Sequence, residues 1–420
     1  MDNIHILILW FVGNIFQFYI LITMFVYLFI SFSGIFFYKR NDKKFSHSKK
    51  FAVLIPAHNE EKVIGNLLES LSFLDYPKDL YDVYVICDHC SDSTSKISKG
   101  YNVNILSYDD NLPSNKARAL NRATKDILSS ADKYDAFCYI DADSLIHPDF
   151  LKAMSGCMDD GGKAIQGMQL PKNRNESILS MIVSSGQFIT NNFFQKPKEF
   201  LGLSATLHGK GMCFSTEIVK KFKWDESCLT EDLEMQMRLI NAGIRIRWCE
   251  SAIVYDEEPV HITQYIKRSV RWTRGSLDTA KKHAWRLLVS FIKTSDFKIL
   301  EGFIYCFGVY RIIVVFISLV SIYFTKDKFN ILVYFFHLIP YDDLYYKLIF
   351  ISLPFIIFPL SMIFDKRAGF PMFSVYFLQP ALGFLRFPIF VLGILKDRKI
   401  WDRTDHTSTV RIGDLLKIKT

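Results

Sequence analysis

The apolar residues of this chain gather at its two ends. Ile6 to Tyr38 carries no charged side chain, and about 20 apolar residues suffice to cross a bilayer as a helix. The stretch is too long for the apolar part of a signal peptide, and no small-residue cleavage site follows it. Apolar runs return after residue 300, where Phe303 to Phe324 and Leu348 to Phe364 read as spans. Pro371 to Leu395 is apolar but interrupted by Pro380, Arg386 and Pro388. Proline removes a backbone donor and arginine is costly at the bilayer centre, so a broken or interfacial segment is expected there.

Between the ends, short apolar runs alternate with helical periodicity. Phe51 to Ile55, closed by Pro56, Val83 to Cys87, Val103 to Leu106 and the run into Asp141 predict strands. Val63, Ile64, Leu67, Leu68 and Leu71 recur at helical spacing, with Asn59 as the expected cap. A further helix begins near Lys116. This alternation predicts an α/β domain, its parallel sheet covered by helices on both faces. Lys163 to Gln169 reads as another strand. Glu176 to Phe194 and His261 to His283 read as long helices, and Thr230 as the cap of the helix bearing Leu233, Met237 and Ile240.

Charge orients this arrangement. Lys39, Arg40, Lys43, Lys44, Lys49 and Lys50 follow the first span, which puts the N-terminus outside and the middle domain in the cytosol. The net charge of +8 comes without a basic stripe interleaved with aromatics, so no nucleic-acid partner is expected. Cations beside apolar runs suit the anionic inner face of a membrane. The eight cysteines do not form a disulfide framework in a chain of 420 residues. Cys87-Asp88-His89-Cys90 lacks the second ligand pair of a zinc site. No Gly-x-Gly-x-x-Gly follows the first strand, which disfavours a dinucleotide fold of the dehydrogenase kind.

Candidate chemistry sits where apolar runs end. Asp141 and Asp143 close the fourth strand, and ligands of open α/β sheets bind at strand carboxyl ends. Two carboxylates there can hold a divalent metal together with substrate phosphates. An Asp-x-Asp arises by chance about once in a chain of this length, so its neighbours decide its meaning. Glu231 and Asp232 stand at a helix start, where acids serve as a base or merely complement the helix dipole. Arg268 and Arg271 share one helix face and suit a diphosphate, while Trp272 suits stacking on a sugar or anchoring at a membrane surface. Leu207-His208-Gly209-Lys210-Gly211 is a glycine turn where backbone can approach a sugar closely. His208 there could reach a phosphate or a metal, or simply bond within its loop.

Taken in order, Ile55-Pro56-Ala57-His58-Asn59-Glu60, Asp88, Asp141-Ala142-Asp143, Thr230-Glu231-Asp232 and Arg268-Ser269-Val270-Arg271-Trp272 resemble the motifs of family 2 glycosyltransferases. The similarity is to the membrane-embedded members, which include cellulose, hyaluronan, chitin and poly-N-acetylglucosamine synthases. It covers residues 51–283. The resemblance implies a GT-A-type nucleotide-sugar transferase domain with a Rossmann-like mixed sheet, between N- and C-terminal transmembrane helices. The implied boundaries are 1–40 for the first span and its basic flank, 41–283 for the cytosolic transferase domain, 284–395 for interfacial and transmembrane helices, and 396–420 for a cytosolic tail.

The resemblance also implies roles. Pro56, His58, Glu60 and Asp88 would surround the uridine, with Lys116 approaching the nucleotide. Asp141 and Asp143 would hold Mg²⁺ or Mn²⁺ against the diphosphate, and Arg268 and Arg271 would bind the nucleotide-sugar. Asp232 would be the catalytic base, and Glu231, Gly209 and Trp272 would face the acceptor. From the residues alone, Asp88 equally fits a turn and Lys116 a solvated first-turn lysine. Trp401-Asp402-Arg403-Thr404-Asp405-His406-Thr407 is similar to the tail motif of such synthases, whose loop closes over the nucleotide. Trp401 and Thr404 would then be gating residues.

The expected activity is inverting transfer from a UDP-sugar, UDP-GlcNAc or UDP-Glc, into a β-linked cell-surface polysaccharide at the plasma membrane. Its partners would be the growing glycan or a lipid acceptor, and membrane lipids. Arg268 stands where polymerising synthases commonly carry Gln, while ceramide glucosyltransferases take either. Single transfer to a membrane lipid is therefore the rival. A nonenzymatic nucleotide-binding membrane sensor or transporter would explain the spans but neither Asp232 nor the Arg-Trp helix.

Overall fold

The computed structural model describes residues 4–36, 45–130, 133–339, 344–365, 367–395 and 408–417. Eight strands build one sheet: β1 Phe51–Ala57, β2 Tyr81–Asp88, β3 Asn104–Tyr108, β4 Ala136–Tyr139, β5 Leu145–Ile146, β6 Ala164–Pro171, β7 Met212–Ser215 and β8 Ile246–Asp256. Their order is β3-β2-β1-β4-β7-β6-β8-β5. β1 to β4 are parallel, as the alternation predicts. β7 then runs antiparallel between β4 and β6, and β5 antiparallel against β8, so the sheet is mixed and not wholly parallel.

β1 lies at the centre because both its faces are apolar. Phe51, Val53 and Ile55 pack with Ile64, Leu67, Leu68 and Phe150 on one side. Ala52 and Leu54 pack with Leu120, Ala123 and Phe214 on the other. A strand covered on both faces reads as a continuous apolar run. Pro56 does not end it, contrary to expectation. β4 pairs with β1 only as far as Leu54. Beyond that point β1 has one neighbour, and a residue without an N–H is tolerated at such an edge.

Two expected caps do something else. Asn59 has φ +59°, and its Oδ1 accepts from the Ser91 amide at 2.7 Å, while the helix starts only at Ile64. A short polar side chain tolerates that left-handed backbone, and here it ties the loop after β1 to the loop after β2. Thr230 precedes the helix Glu231–Asn241 but makes no side-chain cap bond. Its side chain packs instead against Gly275 of the helix Ile262–Thr294, where a Cβ would lie 2.4 Å from Thr230 Cγ2 and 2.8 Å from Thr230 N. Gly275→Ala should therefore shift the Thr230–Asp232 turn. The expected cost is about 1–3 kcal/mol of stability, with lowered turnover, read from a thermal melt and an assay of the same preparation.

The long helix expected over Glu176 to Phe194 is broken in three. Ile178–Thr190 is α-helical, Asn191–Gln195 makes a π turn, and Lys196–Phe200 resumes. Such bulges frequently mark functional sites. This one turns Asn191 and Gln195 inward, onto the carbonyls of Gln169 and Thr206.

Among the described residues, two helical stretches are long and apolar enough to cross a membrane, Ile4–Gly34 and Phe297–Phe324. Leu344–Phe364 is helical over 21 residues. Gly369–Tyr376 and Gln379–Leu395 meet at a bend of 43°, the broken form expected for that segment. The first stretch lies along the helix Arg311–Phe324 through small residues: a Cβ at Gly13 would sit 2.0 Å from Ser321 Oγ. Its far end rests on the α/β domain, where Ser31 Oγ donates to Phe193 O at 3.1 Å. Beyond the apolar helices the chain returns to the same domain. Ser408 donates to Glu257 and Glu176, and Ile412 is buried with Leu145 and Tyr255. Trp401 and Thr404 lie outside the described residues.

Candidate active site

The strand ends bring four segments together around one ammonium group. Lys116 opens the helix Lys116–Ser129, whose cap Asn115 accepts from the Arg118 amide at 3.0 Å. Lys116 Nζ lies 2.6 Å from Asp141 Oδ1, 3.2 Å from Glu231 Oε1 and 3.4 Å from Gly209 O. It is not a solvated surface lysine. Burial works to lower its pKa, but Asp141 and Glu231 outweigh that and hold it above the ordinary lysine value. Burial also raises the pKa of Asp141, against the pull of Lys116 and Lys210.

Asp232 stands across from Lys116. Its Oδ1 accepts from the Leu233 amide at 2.8 Å. Its Oδ2 faces Gly209, where a Cβ would come within 3.3 Å. Gly209 has φ +79°, so both its backbone and the carboxylate beside it favour glycine. Burial, reinforced by Glu231, pushes Asp232 up to about 7, with its own helix amide and Lys116 pulling the other way. A carboxylate tuned near neutrality is suited to take up and release a proton.

Three buried glutamines, not read from the sequence, hold the loop that carries Gly209. Gln166 accepts from the His208 amide at 3.1 Å and donates to Lys210 O at 2.9 Å. Gln236 accepts from the Leu207 amide at 2.9 Å. Gln195 accepts from the Thr206 amide at 2.9 Å and donates to Thr206 O at 3.0 Å. That double contact fixes the Gln195 amide, so its nitrogen donates to His208 Nε2 at 2.9 Å. His208 Nε2 is thus an acceptor already in use, and the ring proton sits on Nδ1. Burial pushes His208 down to about 4, helped by Lys210 and Lys198, so the ring is neutral at physiological pH. The signal available for these glutamines was a polar residue inside an apolar run, as in Ala164-Ile165-Gln166-Gly167.

The arginines diverge. Arg268 pairs with Glu258 at 3.0 Å and Asp256 at 3.5 Å, and its guanidinium lies 4.5 Å from the Trp272 ring centre. Lys210 pairs with the same Asp256. Arg271 faces inward, where burial, then Arg268, hold its pKa below the usual arginine value while Glu231, Asp141 and Asp143 oppose them. Trp272 is half exposed.

Pro56, His58, Glu60 and Asp88 cluster at the ends of β1 and β2. His58 Nδ1 meets Asp88 O at 2.7 Å, and Glu60 N donates to Thr94 Oγ1 at 2.8 Å. The buried Asp88 carboxylate meets His89 at 2.8 Å and accepts from Ser114 Oγ at 2.6 Å and the Asn115 amide at 2.8 Å. It therefore fastens the loop that delivers Lys116.

Among the described residues, no three His, Cys, Asp or Glu side chains converge as a metal cage. Asp141 and Asp143 supply two oxygen donors, which fits a hard divalent cation that keeps water and substrate phosphates as its other ligands.

Fold and site together define a glycosyltransferase of the GT-A type. Residues 48–275 match the family described as "Glycosyltransferase like family 2", and the chain belongs to that family. It is 28% identical over 272 residues to the probable glycosyltransferase YdaM of Bacillus subtilis, covering 62% of each chain. It is 24% identical over 276 residues to a poly-beta-1,6-N-acetyl-D-glucosamine synthase of Staphylococcus aureus, covering 62% of this chain and 65% of that one. In both cases the match takes in less than two thirds of the relative's own length. The fold is also that of the mannosyltransferase PcManGT of Pyrobaculum calidifontis, solved with GDP-Man and Mn²⁺. That match has a TM-score of 0.55 at 14% identity, over 92% of this chain and 98% of that one.

Proposed function

We propose that this protein transfers a sugar from a UDP-sugar, UDP-GlcNAc or UDP-Glc, to the hydroxyl of a growing glycan, with inversion. The observation that carries the reading is the Lys116–Asp141–Glu231–Asp232 cluster. It joins a diphosphate-binding strand end to a base of near-neutral pKa across one glycine turn. Asp232 takes the proton of the acceptor hydroxyl as that oxygen attacks the anomeric carbon. The bond from the anomeric carbon to the UDP oxygen breaks as the new one forms, so an α-linked donor gives a β-linked product. Lys116 and Arg271 face the charge that grows on the departing diphosphate. Asp141 and Asp143 would hold a divalent cation, which when bound neutralises part of that charge. Trp272, half exposed beside Arg268, offers an apolar face to a sugar ring of the acceptor.

The reading places the transferase domain in the cytosol and the product at the plasma membrane, with several spans. The basic flank after the first span supports that orientation. Gly393 packs on Thr273, and Ser408 bonds Glu257, so the described residues on both sides of the tail motif lie near the Arg-Trp helix. The tail motif is the ground for proposing Trp401 and Thr404, which lie outside the described residues, as a gate over the nucleotide. Ser408 is buried, so the neighbouring exposed Thr409 is the site to probe. A cysteine at Thr409 should react with impermeant maleimide only in opened cells, and Trp401→Ala should weaken transfer without releasing the protein from membranes. Labelling in intact cells would defeat both the gate and the orientation.

Incubation of the purified protein with a panel of UDP-sugars, followed by mass analysis of the product, tests the activity. Absence of UDP release from every donor would sink it. Arg268, held on Glu258 and Asp256 where polymerising relatives commonly have Gln, favours a second reading, a single transfer to a membrane lipid. One sugar per product, against a ladder, separates the two.

A further inference from the structure

A cavity of about 1300 Å³ lies away from the catalytic carboxylates, and Asp141, Asp143, Asp232 and Arg268 are not among the residues that line it. Its walls are the end of β6, most of β8, the loop Lys172 to Glu176, the helix Ile178–Thr190, Met372 and the tail at Val410 and Leu415. Met168, Phe188, Ile253 and Met372 make part of it apolar.

The cations on its walls are not equivalent. Lys172 has Glu257 at 3.0 Å, Lys196 has Glu250 at 3.1 Å, and Arg367 has Asp365 at 3.0 Å. Arg245 and Arg247 share Glu199, at 3.1 and 2.6 Å. Arg174 alone has no carboxylate in ion-pair range among the described residues, and its guanidinium donates to the carbonyl of Arg367. Burial lowers the pKa of Arg174, with only Asp365 opposing. A half-buried guanidinium with no ion-paired carboxylate among the described residues, in a partly apolar wall, marks a position for an anion.

The place of the cavity says what carries the anion. Arg367 and Met372 follow directly on the apolar helix Leu344–Phe364, and Phe188 packs with Met362 of that helix and with Met372. On the other flank, Lys196 precedes Pro197, against which the end of the first span rests at Gly34. The cavity thus sits where the apolar helices meet the transferase domain, at headgroup level in the proposed orientation. An occupant with one anionic group and a long apolar part matches both walls.

We propose that this cavity binds one anionic membrane phospholipid. Its phosphate lies on Arg174 and an acyl chain along Met168, Phe188 and Met372. The wall it touches also serves the active site: Lys172 donates to Asp143 O at 2.7 Å, and Glu176 accepts from the tail residue Ser408 at 2.8 Å. The inference rests on the membrane reading but not on which sugar is transferred.

The test uses the full-length protein in mild detergent, with phosphatidylglycerol or phosphatidylcholine added, and native mass spectrometry to count bound lipid. The wild type is expected to retain one phosphatidylglycerol and no phosphatidylcholine. Arg174→Gln should reduce retention at least about tenfold, the scale of a lost charge-assisted hydrogen bond. Met372→Trp, which fills the apolar end, should do the same, while Arg174→Lys should keep most of it. Equal retention by the wild type and both disruptive variants, or equal retention of the two lipids, would overturn the proposal. So would protection by inorganic phosphate alone with no lipid held. UDP release, assayed in parallel, reports separately on the transferase reading.

Discussion

Asp232→Asn is expected to bind UDP-sugar as the wild type does and to lose at least ~100-fold in turnover, the scale of a removed acid–base group. The loss falls on turnover because Asp232 faces Gly209 across the cleft and makes no ion pair among the described residues, whereas Lys116, on the proposed nucleotide side, does. The pH profile gives an independent check. Catalysis requires the ionised form, and burial favours the protonated one. Activity, measured as kcat/KM, should therefore fall as pH drops through about 7. In the Asn variant that limb should vanish from the residual rate. The same raised pKa has a cost to the fold. The folded protein keeps a proton that the unfolded chain gives up near pH ~4, so this group's contribution to stability declines as pH rises from there to neutrality. Equal losses in binding and turnover would make Asp232 a structural residue of its helix start.

The second large effect is expected at Asp143. It is 6% exposed, at the end of the strand whose other carboxylate, Asp141, is held by Lys116. Asp143→Asn removes a charge but little volume, so the fold should survive with a melting temperature within a few degrees of the wild type. Transfer should be lost, and chelation of the wild type with EDTA should have the same effect, reversed by Mg²⁺ or Mn²⁺. Titration of the variant with Mn²⁺ should show weakened binding of the ion in the presence of UDP. Full activity of the variant in EDTA would remove the metal from the reaction.

What could be read in advance follows physical rules of different reach. β1, β2 and β4 were legible because a strand buried on both faces must be a continuous apolar run, and Asp88 and Asp141 were legible as the places where such runs stop. Asp232 and Gly209 were found by motif, and the structure brings them together with Lys116. The antiparallel insertion of β7 between β4 and β6 was not legible, because strand order across distant segments leaves no local periodicity. The three glutamines were missed for a related reason. Gln166, Gln195 and Gln236 act on loop backbone that is 11 to 44 residues away in the chain. Asn59 and Thr230 have side chains that suit helix caps. Partners from other segments, Ser91 and Gly275, decided otherwise.

Lys116 makes one salt bridge to Asp141 and one to Glu231, which stand on the donor and acceptor sides of the proposed reaction. A diphosphate that draws this ammonium toward itself weakens its hold on Glu231 and so changes the field in which an acceptor hydroxyl is received. In the proposed reaction the two substrates would therefore be linked thermodynamically through a single side chain. By reciprocity, whatever factor the nucleotide imposes on acceptor affinity, the acceptor imposes on nucleotide affinity. In the proposed reaction, loss of UDP after transfer would let the ammonium return to Glu231 before the next donor arrives.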